Sequence, residues 1–122
     1  MKRVLLDESV PAQLRGHLPH HETFTAVYAG FGGFKNGELL KAAEEAGFDV
    51  LVTADKTLQF EQNLANLKLA LVCLSANSWH IIEPNVAKII AAVDVATTGS
   101  IVQVECGSFG RQRRKLPPPS PR

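Results

Sequence analysis

The segment Val50-Leu51-Val52-Thr53-Ala54-Asp55-Lys56 decides the fold that we predict for this chain of 122 residues. A short apolar run that ends in a hydroxyl and a carboxylate is typical of a strand buried in a parallel sheet. A similar pattern lies near the N-terminus, where Val4-Leu5-Leu6 precedes Asp7 and Glu8. Ligands of open α/β sheets bind at the carboxyl ends of the strands. We therefore predict that the two strands are neighbours and that Asp7 and Asp55 hold a divalent cation between them.

The rest of the chain alternates predicted strands with predicted helices. We expect strands over 2–6, 22–28, 49–53, 69–74 and 101–104, and helices over 11–18, 37–46, 57–67 (a short helix and a turn) and 83–98. Such alternation implies a parallel sheet with right-handed crossovers and helices on both faces. The prediction is an α/β domain over residues 1–106.

Composition is that of an ordinary globular domain, with 45% hydrophobic and 20% charged residues. No segment approaches the roughly 20 apolar residues of a membrane span. The N-terminus leads directly into a strand, so we expect no secretory signal. Cys73 and Cys106 lie in apolar runs and are predicted to be core residues rather than a disulfide. This pattern fits a cytoplasmic protein.

The net charge of +1 hides a division between an acidic body and a basic end. Residues 111–122 hold five bases, no acid and four prolines, whereas the preceding 110 residues hold eight bases against twelve acids. We predict that residues 107–122 form a disordered tail. Its bases could contact a polyanion such as RNA; they include Arg111, Arg113, Arg114 and Lys115.

Two other kinds of site have little support from the sequence. The glycine-rich segment 30–37 carries Lys35 where a dinucleotide fingerprint needs its last glycine, so we interpret it as a loop. His17 and His21 have the spacing of two ligands on one helix face, but Pro19 lies between them, so the histidines are interpreted as surface or turn residues rather than zinc ligands. The chemistry is therefore expected to come from carboxylates.

Carboxylates that approach closely repel one another unless a cation lies between them. Mg²⁺ and Mn²⁺ prefer such oxygen ligands and can activate a water for attack on a phosphodiester. Glu38, at the start of a predicted helix that leads into the third strand, is a further candidate. A structural explanation also exists for Glu38, because a carboxylate in the first turn is stabilised by the helix dipole.

Three segments together resemble the short PIN-like proteins. They are Val4-Leu5-Leu6-Asp7-Glu8-Ser9-Val10-Pro11, Asn36-Gly37-Glu38-Leu39-Leu40 and Leu51-Val52-Thr53-Ala54-Asp55-Lys56-Thr57-Leu58-Gln59-Phe60. PIN domains are Mg²⁺- or Mn²⁺-dependent ribonucleases, and many are toxins of bacterial toxin–antitoxin pairs. The resemblance covers residues 2 to about 75 and implies a three-layer α/β/α fold. It also implies the strand order 3-2-1-4-5, which would place the first strand beside the fourth rather than the third.

The resemblance also implies roles for individual residues. Asp7, Glu38 and Asp55 match the catalytic, metal-binding acids, and Thr53 matches a hydroxyl residue that supports the last of them. Glu8 is expected to support the site or to add a ligand.

The chain departs from the pattern at three positions. Ser9 replaces an asparagine, Asn36 replaces an acid, and the loop after the fourth strand offers Asn77 instead of an acid. Asn77 could still position a water, but fewer acids predict weaker metal binding.

The first functional hypothesis is therefore a Mg²⁺- or Mn²⁺-dependent ribonuclease, with Lys56 and the tail bases contacting phosphates. The alternative is an inactive PIN-like module that binds RNA or a protein. A receiver domain would need a lysine after the last strand, where this chain has Val104-Glu105-Cys106. Expected partners are RNA, an antitoxin protein and a second copy of the chain. The aromatic residues that suggest a dimer are Phe31, Phe34 and Trp79.

Overall fold

The computed structural model describes residues 1–58 and 67–107. The predicted disordered tail, with its arginines and lysine, lies outside these ranges apart from Gly107, and so does most of the helix and turn predicted over 57–67.

Five strands form one parallel sheet in the described part of the chain. They are β1 (Arg3–Leu6), β2 (Glu22–Thr25), β3 (Val50–Thr53), β4 (Ala70–Leu74) and β5 (Ile101–Val104), in the spatial order β2-β1-β3-β4-β5. The predicted pairing of the first and third strands is confirmed, with Leu5 opposite Leu51 and Leu6 opposite Val52. The order 3-2-1-4-5 is wrong for this chain. It fails because the chain moves outward from β1 to β2 and then crosses back over β1 before it forms β3.

Among the described residues, three α-helices lie in two of the connections, one between β2 and β3 and two between β4 and β5. They are α1 (Asn36–Glu45), α2 (Trp79–Ile82) and α3 (Val86–Val95), and 3₁₀ turns cover Ala12–His17 and Glu83–Asn85. The segment 11–18, predicted as a helix, forms only the first of these 3₁₀ turns. The strand predicted over 22–28 ends at Thr25, because Thr25 Oγ1 accepts a hydrogen bond from the Tyr28 amide and the Thr25 carbonyl accepts one from the Ala29 amide.

The two faces of the sheet bury separate apolar clusters, as expected for a sheet whose strands alternate their side chains. One face packs the β-branched side chains of the central strands against α3 and the first 3₁₀ turn; its members include Val4, Val50, Val52, Val72, Leu14, Ile89 and Val93. The other face packs against α1; its members include Leu5, Leu51, Leu71, Leu39, Leu40 and Ala43. The predicted α/β fold, with helices on both faces of a parallel sheet, is confirmed.

Both cysteines are free and buried, as predicted. Cys73 belongs to the cluster on the α1 face and Cys106 to the cluster on the α3 face, so the sheet separates them. Among the described residues, no helix is both long and apolar enough to cross a membrane.

The aromatic residues expected at a dimer surface are half-buried. Phe31 and Phe34 stack on each other with ring centroids 5.5 Å apart, and Trp79 packs against the core and lies 5.2 Å from the ring of His17. The large apolar side chains that are most exposed lie elsewhere and include Val27, Tyr28 and Val95.

Candidate functional site

The carboxyl ends of β1 and β3 bring Asp7 and Asp55 into one polar network. The Asp7 amide donates a hydrogen bond to the Val52 carbonyl at 2.9 Å, which continues the pairing of β1 and β3 past the last residue of β1. Asp7 is thereby placed opposite Thr53, the last residue of β3. The expectation that acids from the two strands meet at one edge of the sheet rests on this pairing.

The Asp7 carboxylate accepts three short hydrogen bonds. Its Oδ2 accepts one from Thr53 Oγ1 and one from Ser9 Oγ, both at 2.7 Å, and its Oδ1 accepts one from the Glu8 amide at 2.7 Å. Each hydroxyl has a single proton, and the two protons are directed at Asp7. The 3.4 Å separation of Ser9 Oγ and Thr53 Oγ1 is therefore a consequence of the shared acceptor rather than a further bond.

The same two hydroxyls also accept hydrogen bonds from the loop that follows β3. Ser9 Oγ accepts one from the Ala54 amide at 2.9 Å, and Thr53 Oγ1 accepts one from the Asp55 amide at 3.0 Å. Thr53 is completely buried, so its hydroxyl needs these partners. The Asp55 backbone is thus joined to the Asp7 carboxylate through one bridging side chain.

Asp55 itself is half-buried and turns part of its carboxylate toward its own loop. Its Oδ1 accepts hydrogen bonds from the Thr57 amide at 2.9 Å and from Thr57 Oγ1 at 2.7 Å. Aspartate commonly forms this local turn with the backbone two residues later. These bonds fix the side chain, and no described residue donates a hydrogen bond to Oδ2.

The side chains of the other predicted residues lie outside this network. Glu8 Oε1 accepts a hydrogen bond from the Gly33 amide at 2.8 Å, which ties the glycine-rich loop to the end of β1. Glu38 is exposed in the first turn of α1, and its side chain forms no hydrogen bond with another described residue. Lys56 and Asn77 are exposed on the loops after β3 and β4.

Whether a divalent cation could bind here depends on how many acidic side chains lie close together. Within residues 1–58 and 67–107, no three or more His, Cys, Asp or Glu side chains are grouped so that they could hold a metal ion. Glu38 is therefore not assembled with Asp7 and Asp55 into a three-acid site. Mg²⁺ commonly binds through one or two carboxylates and keeps several waters, so a site on this chain would need no third acid.

Open cavities flank the network on both sides. One of about 320 Å³ lies at the ends of β1 and β2 and is lined by Asp7, Glu8 and Thr25, among others. Another of about 320 Å³ lies at the ends of β4 and β5, and Lys56 is among its lining residues.

Sequence reasoning missed the role of Ser9, which was noted only as a departure from the family pattern. Its hydroxyl both orients Asp7 and holds the loop after β3 through the Ala54 amide. The available signal was its spacing, because a serine two residues after an aspartate can bond that carboxylate locally. The long-range half of its role depends on the β1–β3 pairing.

No protein-family model matches the chain, and comparisons with curated proteins and with solved structures also give no match. The PIN-like resemblance therefore rests on the three segments quoted above. It stays a prediction, whereas the α/β fold follows from the sheet itself.

Proposed function

We propose that the chain is a PIN-like ribonuclease that uses Mg²⁺ or Mn²⁺ at the carboxyl ends of β1 and β3. The observation that supports this most is the hydrogen-bond network that joins Asp7, Thr53 and Asp55 across two neighbouring strands. Two acids at adjacent strand ends, one held by two hydroxyls, form a fixed oxygen-rich position where ligands of such folds bind.

In this proposal each residue of the network has a defined task. Asp7 and Asp55 hold the ion, and Thr53 and Ser9 keep the Asp7 carboxylate in one orientation. A bound divalent ion supplies an activated water and positive charge next to the phosphodiester. Glu38 is proposed as a third acid from the resemblance alone, because the described residues do not group it with Asp7 and Asp55.

Further residues of the proposal position the RNA strand. Lys56 follows Asp55 directly and would contact a phosphate, an interaction that weakens with salt and carries no sequence information. The tail bases would act in the same way. Glu8 would keep the glycine-rich loop in place through Gly33, and Asn77 would position a water from the loop after β4.

Cleavage of single-stranded RNA in millimolar Mn²⁺ tests the site. Asp7→Asn and Asp55→Asn should each abolish cleavage, because an amide removes the charge that holds the ion. The matched control is Asp49→Asn at the opposite edge of the sheet, where Asp49 accepts a hydrogen bond from the Arg3 amide that asparagine can also accept. Cleavage that persists in both site variants would refute the assignment. Full activity of Glu38→Gln would show that Asp7 and Asp55 are the acids of the site and that Glu38 is not one of them.

The second candidate function is an inactive PIN-like module that binds RNA or protein. It is favoured by the separation of Glu38 from the acids of the network among the described residues. Thermal unfolding with and without Mn²⁺ separates the two, because a formed site stabilises the fold by about 2.7 kcal/mol at one hundred times the dissociation constant. A raised midpoint in the wild type that is lost in Asp7→Asn would support the nuclease; an unchanged midpoint would support the module.

We further propose that the protein acts in the cytoplasm as the toxin of a toxin–antitoxin pair, and that it forms a homodimer. Induced expression should then arrest growth of a bacterial host, while Asp7→Asn should not. Equal growth with both chains would contradict the toxin assignment. Light scattering of the purified chain would test the dimer.

A further inference from the structure

The network at Asp7 is one end of a row of side chains that crosses the sheet. Thr53 lies opposite Cys73, and Cys73 lies opposite Gln103 in the next strand. Residues opposite one another in a parallel sheet point to the same face, and neighbouring strands are about 4.8 Å apart. The row therefore leads from the acids to Gln103, two strands beyond Thr53, over a distance of about 10 Å.

A cavity of about 320 Å³ occupies the far end of this row. Its lining includes three buried apolar residues of β4 and β5, namely Cys73, Leu74 and Val104, and of these the side chain of Cys73 lies on the same face as the row. Its polar residues are Lys56, Ser75, Gln103 and Glu105. An apolar wall with a few convergent polar groups, and a volume near 300 Å³, is typical of a site for a small ligand or one unit of a polymer.

One carboxylate oxygen of Glu105, Oε2, accepts the hydrogen bonds that hold this side chain. Oε2 accepts hydrogen bonds from the Gly107 amide at 3.0 Å and from Ser75 Oγ at 3.4 Å. Ser75 Oγ in turn accepts a bond from the Cys106 amide at 2.7 Å, so the serine proton is free to point at Glu105. No described residue donates to Oε1. Since Glu105 lines the cavity, Oε1 is the oxygen of its carboxylate that a ligand there could reach.

We propose that this cavity binds the base of the nucleotide beside the cleaved phosphodiester and that Glu105 selects bases with an exocyclic amino group. The proposal rests on the proposed ribonuclease function, because it places the base next to the acids of that site. Lys56 lines the cavity and follows Asp55 in the chain, so it lies where the connecting phosphate would pass.

The selectivity follows from the chemistry of the carboxylate. An ionised carboxylate only accepts hydrogen bonds, so it can pair with the amino group of cytosine but not with the oxo group of uracil at the same position. Gln103 can donate or accept and therefore does not discriminate between the two bases. Glu105 is the specificity-determining residue of the pair.

Titration with CMP and with UMP, followed by amide chemical shifts in the presence of EDTA, tests the proposal. The two probes differ at the position that Glu105 would read. CMP should bind about tenfold more tightly than UMP, the ratio expected for one hydrogen bond to a charged group. The shifts should centre on the amides of Ser75, Gln103 and Gly107. Equal affinities, or shifts centred elsewhere, would overturn the proposal.

Glu105→Gln provides the decisive variant, because glutamine can still accept the bond from the Gly107 amide but can also donate to uracil. It should bring the two affinities within about twofold of each other, by loss of the charged acceptor. The matched control is Glu83→Gln, which changes the net charge equally at an exposed residue outside the cavity lining. A tenfold ratio that survives in Glu105→Gln would refute the role of Glu105. Since no metal or cleavable bond is present, failure of the nuclease proposal would not alter this result.

Discussion

Thr53 Oγ1 donates a 2.7 Å hydrogen bond to Asp7 Oδ2 although 46 positions separate the two residues in the chain. The bond exists because β1 and β3 are neighbours, and it lies where both strands end. Thr53 is completely buried, and its hydroxyl also accepts a hydrogen bond from the Asp55 amide. Thr53 therefore contributes both to the orientation of the Asp7 carboxylate and to the position of the Asp55 backbone.

Thr53→Val is the first prediction. Valine has the same shape but leaves the Asp55 amide and one lone pair of Asp7 without their partner. Because unpaired buried polar groups cost about 1 to 3 kcal/mol, the free energy of unfolding should fall by that amount. Urea denaturation measures it, with Thr23→Val as the control. Thr23 is also buried, but its hydroxyl forms only one long bond, at 3.4 Å to the His21 carbonyl. Equal losses in both variants would contradict the network.

Ser9→Ala should be coupled to Thr53→Val, since both hydroxyls donate to Asp7 Oδ2. Residues that share one acceptor are expected to show an interaction energy of about 0.5 to 3 kcal/mol in a double-mutant cycle. Unfolding free energies of the wild type, both single variants and the double variant give this energy. Strict additivity would show that the two hydroxyls act independently.

The imidazole of His21 should carry its proton on Nε2. Nδ1 accepts a hydrogen bond from the Lys2 amide at 3.1 Å, and Nε2 lies 2.7 Å from Asp94 Oδ1. An amide donor at Nδ1 requires a lone pair there, so the proton is directed at Asp94. Nitrogen chemical shifts of the rings measure the tautomer, and the exposed His20 provides a comparison without such bonds to described residues. A proton on Nδ1 of His21 would contradict the structure.

The buried thiols should make the fold less stable in alkali. Burial raises the pKa of Cys73 and of Cys106 above the ordinary value of 9.0. In the folded state the thiols then stay protonated at pH values where the unfolded chain has released its protons. Stability is therefore lost as the pH rises through and above 9, by at most about 1.4 kcal/mol per pH unit for each thiol.

Urea midpoints between pH 7 and pH 10 check this expectation in the wild type and in Cys73→Ala. The alanine variant should be less stable at pH 7, because it leaves a small space in the core, but its midpoint should fall less steeply with pH. Parallel curves for the two chains would show that Cys73 does not contribute to the pH dependence.

The parts of the fold that depend on the local pattern of apolar residues could be predicted from the sequence. The β-branched runs before Thr53 and Asp7 predict central buried strands, and their pairing is confirmed. The outer strand order was not predictable in this way, because it depends on the direction in which each crossover leaves the sheet. The early end of β2 was missed because Thr25 bonds the Tyr28 amide through its side chain, which the apolar alternation of 22–28 does not reveal.

Some residues of the candidate site could likewise be predicted from the sequence, and others could not. Asp7 and Asp55 could be predicted because each lies within two residues of the end of a strand, and Thr53 because the resemblance included it. The position of Glu38 relative to them depends on the rotation of α1 and on its side-chain rotamer, neither of which a motif specifies. Glu105 could not be predicted, since its cavity forms only when β4 and β5 pair.

The parallel arrangement of all five described strands has a practical consequence for handling the protein. Every described strand ends at the edge that carries Asp7 and Asp55, whereas the exposed turn at Pro19 and His20 precedes β2 and faces the other way. A fluorophore or surface linker attached at that turn would stand clear of an approaching strand of nucleic acid. Single-molecule and immobilised formats therefore have a natural point of attachment on this chain.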